Sequence, residues 1–301
     1  MKRFIYKTIF LVIPIIAMLS IAEFILRKIP NDYSYKNEYL KKHATEIEIL
    51  FLGSSHAYFG IDPEFLKSKK GFNGAHVGQK LAEDIEILKK HIANLNNLEF
   101  LVLPIDYFTL FKEYSVSYVK NYRIYYGIKN YGGIADDFEM LNFPLKSKII
   151  QISNFLLYHN NNITCNTLGW GTSYKSTDQQ DLVKQGKIRA VGHTVENCIF
   201  LDANIQRLKE IIAISKAKKF NVVFYTSPAY YTYIDYINPD QLNTTINTIN
   251  KIVNSSENLY YFNFLKDPNF VKEDFWDSNH LNEIGAEKLT LKLDSLINNI
   301  D

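Results

Sequence analysis

Cysteine is scarce in this chain, and its placement excludes one class of site. Among 301 residues only Cys165 and Cys198 occur, without metal-ligand spacing and without a histidine cluster beside them, so no cysteine-based metal site is encoded. They could pair in an oxidising compartment, and the sequence leaves that pairing open. Excess charge is also missing. A balance of 34 Lys and Arg against 32 Asp and Glu leaves a net charge of +2, and no basic stripe interleaves with aromatics. That composition argues against a nucleic-acid partner. Whole-domain repeats and low-complexity tracts are absent too. What is present is length for one large domain or two small ones, and many aromatics, 21 Tyr and 20 Phe.

The first feature to stand out is apolar. Met1-Lys2-Arg3 precedes a run from Phe4 to Leu26 whose charges, Lys7 and Glu23, lie near its ends, and Arg27-Lys28-Ile29-Pro30 closes it. A tilted helix of that length spans a bilayer, with its charged side chains reaching the headgroups. Ser20 and Ala22 would suit a signal-peptide cleavage site, but the run continues through Phe24-Ile25-Leu26, which suits an uncleaved anchor better. Positive charge ahead of the span favours a cytoplasmic N-terminus, with Arg27 and Lys28 on the far side opposing it. The expectation is a membrane anchor over residues 1–29 and an extracytoplasmic remainder, periplasmic or at the cell surface. Residues 30–45 are polar and without periodicity, and read as a stalk.

From residue 46 the pattern changes. Ile47–Leu52, Gly71–Ala75, Leu98–Leu103, Asn221–Tyr225 and Leu259–Phe264 read as strands. Between them Leu81, Ile85, Leu88, Ile92 and Leu95 recur at helical spacing, as do Ile205, Leu208, Ile211 and Ile212, then Leu242, Ile246, Ile249 and Val253, and finally Ala286, Leu289, Leu293 and Leu296. Strands alternating with amphipathic helices predict a three-layer α/β/α domain over 46–301 with a mostly parallel sheet. Residues 107–200 interrupt the pattern: they are rich in Tyr, Asn, Lys and Gly, punctuated by Phe143-Pro144 and Gly169-Trp170-Gly171, and read as an insertion or cap.

In parallel sheets ligands gather at the carboxyl ends of the strands. There the run Ile49-Leu50-Phe51-Leu52 stops at Gly53-Ser54-Ser55-His56, delivering Ser55 as a candidate nucleophile. Near the C-terminus, Asp277-Ser278-Asn279-His280 offers a base with an unperturbed pKa close to neutrality. A carboxylate three residues earlier can hold its tautomer. His56 directly after the nucleophile is expected to be buried or turned away. His193, in the run returning from the insertion, is a candidate substrate contact, as is Tyr230 in Pro228-Ala229-Tyr230-Tyr231-Thr232-Tyr233. Aromatic residues there could stack on sugar rings or simply pack locally.

These residues resemble the SGNH or GDSL hydrolases. Gly53-Ser54-Ser55 resembles that family's first motif, Gly-Asp-Ser, with Ser in place of Asp, and Asp277-x-x-His280 matches its last. Asn73-Gly74-Ala75-His76-Val77-Gly78-Gln79 resembles the second, making Gly78 the matching oxyanion glycine beside the Ser55 N–H. The third motif departs: where the family has an oxyanion-donating Asn, Leu103-Pro104-Ile105 leads to Asp106. An ionised Asp donates no hydrogen bond.

The resemblance implies a flavodoxin-like fold and a serine esterase or O-acyltransferase without metal or organic cofactor. Its implied substrates are acyl esters, acetyl above all, on a cell-surface polysaccharide or other envelope polymer. The alternative is a weak or inactive accessory protein that binds glycan or a membrane-bound acyltransferase, which Asp106 favours.

Overall fold

The computed structural model describes residues 1–142 and 144–300; Phe143, half of the Phe143-Pro144 breakpoint, lies outside the described residues, as does Asp301. In chain order come α1 (Lys2–Lys28), α2 (Asp32–Lys42), β1 (Ile49–Phe51), α3 (Ser55–Gly60), β2 (Gly71–Asn73), α4 (Leu81–His91) and β3 (Phe100–Pro104). They are followed by α5 (Val119–Asn121), α6 (Leu145–Tyr158), α7 (Leu182–His193) and α8 (Leu201–Lys218). The remainder is β4 (Asn221–Thr226), α9 (Tyr231–Ile234), α10 (Pro239–Val253), β5 (Leu259–Asn263), β6 (Phe275–Asp277), β7 (His280–Leu281) and α11 (Glu283–Asn298). Two compact units result, one of Met1–Asn37 with Val116–Ile163, the other of Glu38–Ser115 with Thr164–Asp301.

The second unit holds a five-stranded sheet in the order β2-β1-β3-β4-β5, with every neighbouring pair parallel. All of β1 and β3 is buried, as strands covered on both faces require. Side chains alternate between faces. Ile49, Phe51, Phe100, Val102, Val223 and Tyr225 share one face and cluster with Leu289, Leu293 and Ile297 of α11. Leu50, Leu101, Val222 and Phe224 occupy the alternate positions and are equally buried. There α8 packs on β4 and α4 packs on α8. The expected α/β/α architecture is therefore present. Its strand order reverses between β1 and β3, where doubly wound sheets open a crevice at their carboxyl ends. Ser55 follows β1 and Asp106 follows β3.

The first unit is helical. Phe4–Ile21 of α1 stands exposed, and α1 is long and apolar enough to cross a membrane by length and composition. Its last turns are tied down. The Glu23 carboxylate accepts the N–H groups of Glu139 (3.0 Å) and Met140 (2.9 Å), and Arg27 donates to Glu23 and to the Asp137 carbonyl. Beneath lies a buried cluster in which Lys120 and Lys148 both donate to Glu139, each at 2.7 Å.

Two sequence expectations change. The 30–45 stalk contains α2, because Asn31 Oδ1 caps its start by accepting the Tyr33 and Ser34 N–H groups, and Glu38 pairs with Lys41 and Lys42 one turn on. The 107–200 insertion divides: residues 116–163 belong to the unit of α1, while Thr164 onward folds with the sheet. No disulfide joins Cys165 to Cys198.

Candidate active site

At the end of β1 the chain turns sharply at Gly53, whose φ is +122° and where a Cβ would lie 2.5 Å from the Pro104 ring. Only glycine fits both that angle and that approach. Ser54 then serves as the N-cap of α3, and Ser55 is the first helical residue. Ser55 is half-buried while His56 through Gly60 are buried, so its hydroxyl stands at the edge of the packed interior. As the first N–H of a helix, the Ser55 amide has no intrahelical acceptor, and it makes no hydrogen bond among the described residues.

Opposite Ser55 stands the β6–β7 hairpin. Asp277 Oδ1 accepts the N–H groups of Asn279 (3.0 Å) and His280 (2.9 Å), which folds the intervening turn around the carboxylate. The same group receives His280 Nδ1 at 3.0 and 3.1 Å, and His280 Nε2 lies 2.9 Å from Ser55 Oγ. An ionised carboxylate only accepts, so Nδ1 carries the imidazole hydrogen and Nε2 offers its lone pair to the serine hydroxyl. Asn282 secures the hairpin, its Nδ2 donating to Glu273 O (2.7 Å) and its Oδ1 capping α11. The structure thus brings Ser55, His280 and Asp277 together in a hydrogen-bonded row.

Electrostatics support a neutral base. Burial depresses the His280 pKa below the usual value, and the charge and hydrogen bond of Asp277 offset only part of that. Burial alone would raise the Asp277 carboxyl, but His280, the Asn279 amide and Arg189 outweigh it and hold it well below the carboxylate range. Arg189 was not foreseen. It lies on α7 and places Nη2 2.9 Å from Asp277 Oδ2. Gly186, one turn earlier, lets α7 approach closely, since a Cβ there would sit 2.3 Å from the Thr232 carbonyl oxygen. No local pattern links a helical Arg to an Asp 88 residues on; only the packing of α7 does.

Asp106 does not stand as a donor toward Ser55. Its Oδ2 receives His56 Nδ1 at 2.6 Å and its Oδ1 receives the Ser227 N–H at 2.8 Å, so both oxygens are occupied. Burial would raise this carboxyl, and the His56 contact together with the Ser227 bonds reverses that, leaving it below its ordinary value. Asp106, at the position of the resembled family's oxyanion-donating Asn, is thus engaged by His56 and Ser227. His56 is buried as expected, and its Nε2 lies 2.8 Å from Asn279 Nδ2, so both ring nitrogens are engaged. Asn279 Oδ1 has no hydrogen-bond partner among the described residues.

Gly78 has φ +75°, in a loop pinned to the end of β1 by Gly74 N–H to Phe51 O (2.8 Å) and His76 N–H to Gly53 O (3.2 Å). Its own N–H makes no hydrogen bond among the described residues. Gln79 donates to Asp84 Oδ1 at 2.6 Å. Burial pushes the Asp84 carboxyl up to about 8 and that of neighbouring Glu83 up to about 7.

His193 donates or accepts at Tyr233 OH (2.9 Å) and packs on Phe108 with ring centroids 4.2 Å apart; its ring lies 6.4 Å from that of His56. Burial, reinforced by His56 and His280, pushes its pKa down to about 2. Tyr230 packs against Tyr231 and Phe275 and lines a cavity of about 380 Å³ with Lys266, Asp267 and Phe270. Trp170 is buried, its indole N–H donating to the Phe59 carbonyl at 2.7 Å, which makes it a packing residue. Sequence reasoning missed a stack beside the base: Tyr174 lies face to face with both Phe59 and Trp276 at 3.6 Å, 5.5 Å from the His280 ring. Among the described residues no group of three or more His, Cys, Asp or Glu side chains could hold a metal ion.

No family model matches the chain, and no curated protein matches it. Among solved structures it is similar to a Streptococcus pneumonia protein provisionally named a platelet activating factor, at 12% identity and a TM-score of 0.48, over 95% of this chain and 99% of that one. It is also similar to a provisionally named acylhydrolase from Bacteroides fragilis, at 9% identity and a TM-score of 0.42, over 87% of this chain and 96% of that one.

Proposed function

We propose that the unit carrying the sheet is a serine-dependent ester hydrolase or O-acyltransferase with Ser55 as nucleophile, His280 as general base and Asp277 as its orienting carboxylate. One observation carries this reading: the row Ser55 Oγ–His280 Nε2 at 2.9 Å and His280 Nδ1–Asp277 Oδ1 at 3.0 Å. Ser55 Oγ attacks the ester carbonyl carbon as its proton passes to Nε2. The acyl C–O bond then breaks, and the departing alkoxide takes that proton, leaving acyl-Ser55. Water or a sugar hydroxyl next attacks the acyl group, giving its proton to His280, and Ser55 leaves with that proton restored. The unengaged N–H groups of Ser55 and Gly78 are the proposed oxyanion donors. Asp277 stays ionised throughout and stabilises the imidazolium.

The proposed substrate is an acyl ester, foremost acetyl, on a carbohydrate of the cell envelope, met by a domain held outside the cytoplasm by α1. Support comes from the composition of α1 and from the order of the motif blocks, and the half-buried Trp276, stacked on the Tyr174 that borders His280, is an aromatic side chain of the kind that suits sugar rings. His193 and Tyr230 remain proposed substrate contacts. A second reading, an accessory domain that binds glycan or a membrane acyltransferase without turnover, draws on one observation: Asp106 stands where the resembled family has its amide donor and is committed to His56.

The test uses the full chain in detergent with a serine-directed phosphonate and an aryl acetate. The expected result is labelling at Ser55 and ester turnover, both abolished in Ser55→Ala. Folded protein that resists the phosphonate, or turnover unchanged in Ser55→Ala, overturns the enzyme reading. A mature protein beginning near Glu23 would overturn the anchor.

A further inference from the structure

Helix α6 has two unlike sides. At about 100° per residue, Lys148, Gln151, Ile152 and Phe155 share one flank. Lys148 and Gln151 line a cavity of about 170 Å³ together with Leu26 and Ile29 from the end of α1. The rest of the helix presents Leu145, Ile149, Ile150, Leu156 and Leu157, each about half exposed or more. These five, interspersed with Lys146 and Ser153, span roughly 140° of the helix circumference. A soluble surface seldom carries so many large aliphatic side chains on one face.

We propose that this face of α6 lies in the interface of the same bilayer that α1 crosses, its occupant being the headgroup and upper acyl region of the lipid. The proposal rests on the reading of α1 as a membrane span, and continuity with α1 is what selects lipid over protein. The exposed stretch Phe4–Ile21 of α1 is about 27 Å long at 1.5 Å per residue, close to the thickness of a hydrocarbon core. Glu23 therefore stands at headgroup depth. Glu23 holds the amides of Glu139 and Met140, Arg27 holds the Asp137 carbonyl, and α6 packs on α1 within the same compact unit. The height of α6 is thereby tied to the point where α1 leaves the membrane. Its composition fits that depth: aliphatic residues on one flank, the exposed Lys146 for phosphate, and Tyr158 at the end, where aromatic residues favour the interface. Ile134 and Leu141, in the preceding segment of the same unit, are exposed as well.

The experiment uses the full chain, with Cys165 and Cys198 replaced by Ser, in nanodiscs of phosphatidylcholine and phosphatidylglycerol. An environment-sensitive fluorophore is attached to a single cysteine at Ile13, Ile149, Leu157 or, as a water-exposed control, Lys184. Quenching is read from lipids spin-labelled on the headgroup or deep in the acyl chain, and from a water-soluble quencher. Expected are deep-label quenching at Ile13, and headgroup-label quenching at Ile149 and Leu157 at least about threefold stronger than at Lys184. If Ile13 meets the deep label while Ile149 and Leu157 answer only to the aqueous quencher, the proposal fails and the anchor stands. If Ile149 and Leu157 are shielded from lipid and water alike, a second copy or another protein covers them, and the proposal also fails. Failure of Ile13 to meet any lipid removes the anchor and the proposal with it.

Discussion

Replacing Asp106 by Asn separates two accounts of the position after β3. If the site lacks only a donor there, Asn supplies one, and an added oxyanion donor is worth on the order of 100-fold in kcat. The structure argues otherwise. Asp106 is 3% exposed, with Oδ2 on His56 Nδ1 at 2.6 Å and Oδ1 on the Ser227 N–H at 2.8 Å. An Asn side chain can keep the Ser227 bond, but its NH2 then faces His56 Nδ1–H. His56 must move its proton to Nε2 to accept at Nδ1, and Asn279 must turn its partnerless Oδ1 toward that Nε2. The rearranged chain is satisfied, but a charge-assisted bond has become a neutral one, a loss of about 1–2 kcal/mol. Asp106→Ala, which leaves His56 and the Ser227 amide unpaired, should cost about 3 kcal/mol or more. The folded pKa of Asp106 lies below its unfolded value, so its stabilisation is complete above the ordinary carboxylate range and is lost as pH falls through the folded value. Asp106→Asn should therefore lose less stability than the parent on acidification. The assays are denaturant unfolding in detergent and kcat on an aryl acetate. A rise in kcat of about tenfold or more in Asp106→Asn would refute the assignment of Asp106 to His56.

Other outcomes follow from the same contacts. Ser55→Ala should reduce ester turnover by about a thousandfold or more without lowering the melting temperature. His280 must be neutral to act as base, so kcat/KM should climb as pH rises through a value below 6.5 and then level off. In Arg189→Gln that limb should move to higher pH, because a cation opposing His280 protonation is gone; an unmoved limb refutes the role given to Arg189. Asp84 has a folded pKa of about 8 against an ordinary 3.8, so the folded state holds a proton the unfolded chain releases, and stability falls with rising pH across that interval. Asp84→Asn should flatten this slope, which is at most about 1.4 kcal/mol per pH unit for one proton; a slope unchanged in chemical-denaturation series contradicts it. Gly53→Ala should cost at least about 2 kcal/mol, from the positive φ and the Pro104 contact, and a variant as stable as the parent would contradict the turn geometry.

What the sequence made legible depended on range. The strands were readable because parallel strands buried on both faces leave continuous apolar runs such as Ile49–Leu52. Asp277-x-x-His280 was readable because its geometry is set within one turn of chain. The engagement of Asp106 was not legible because its partner is His56, 50 residues away, and neither residue announces the other. Arg189 and Tyr174 escaped for the same reason, being brought to the hairpin by the packing of α7 and by stacking against Phe59 and Trp276. Helix α2 was hidden by its composition: without an apolar stripe, its capping Asn31 and its Glu38–Lys42 pair were the remaining signals.

The contact of Arg189 with Asp277 also changes how mutational data on this protein would read. Helix α7 faces inward with Leu182, Gly186 and Ala190 and carries Arg189 and His193 alongside, a comb with the pitch of the helix. Substitutions at Leu182, Gly186, Ala190 and Arg189 would behave in an activity screen as if they touched the substrate, because the Asp277 carboxylate registers whether α7 is seated. A map of loss-of-function positions would thus show a helical periodicity along α7, and its maximum would mark a docking surface rather than a binding cleft.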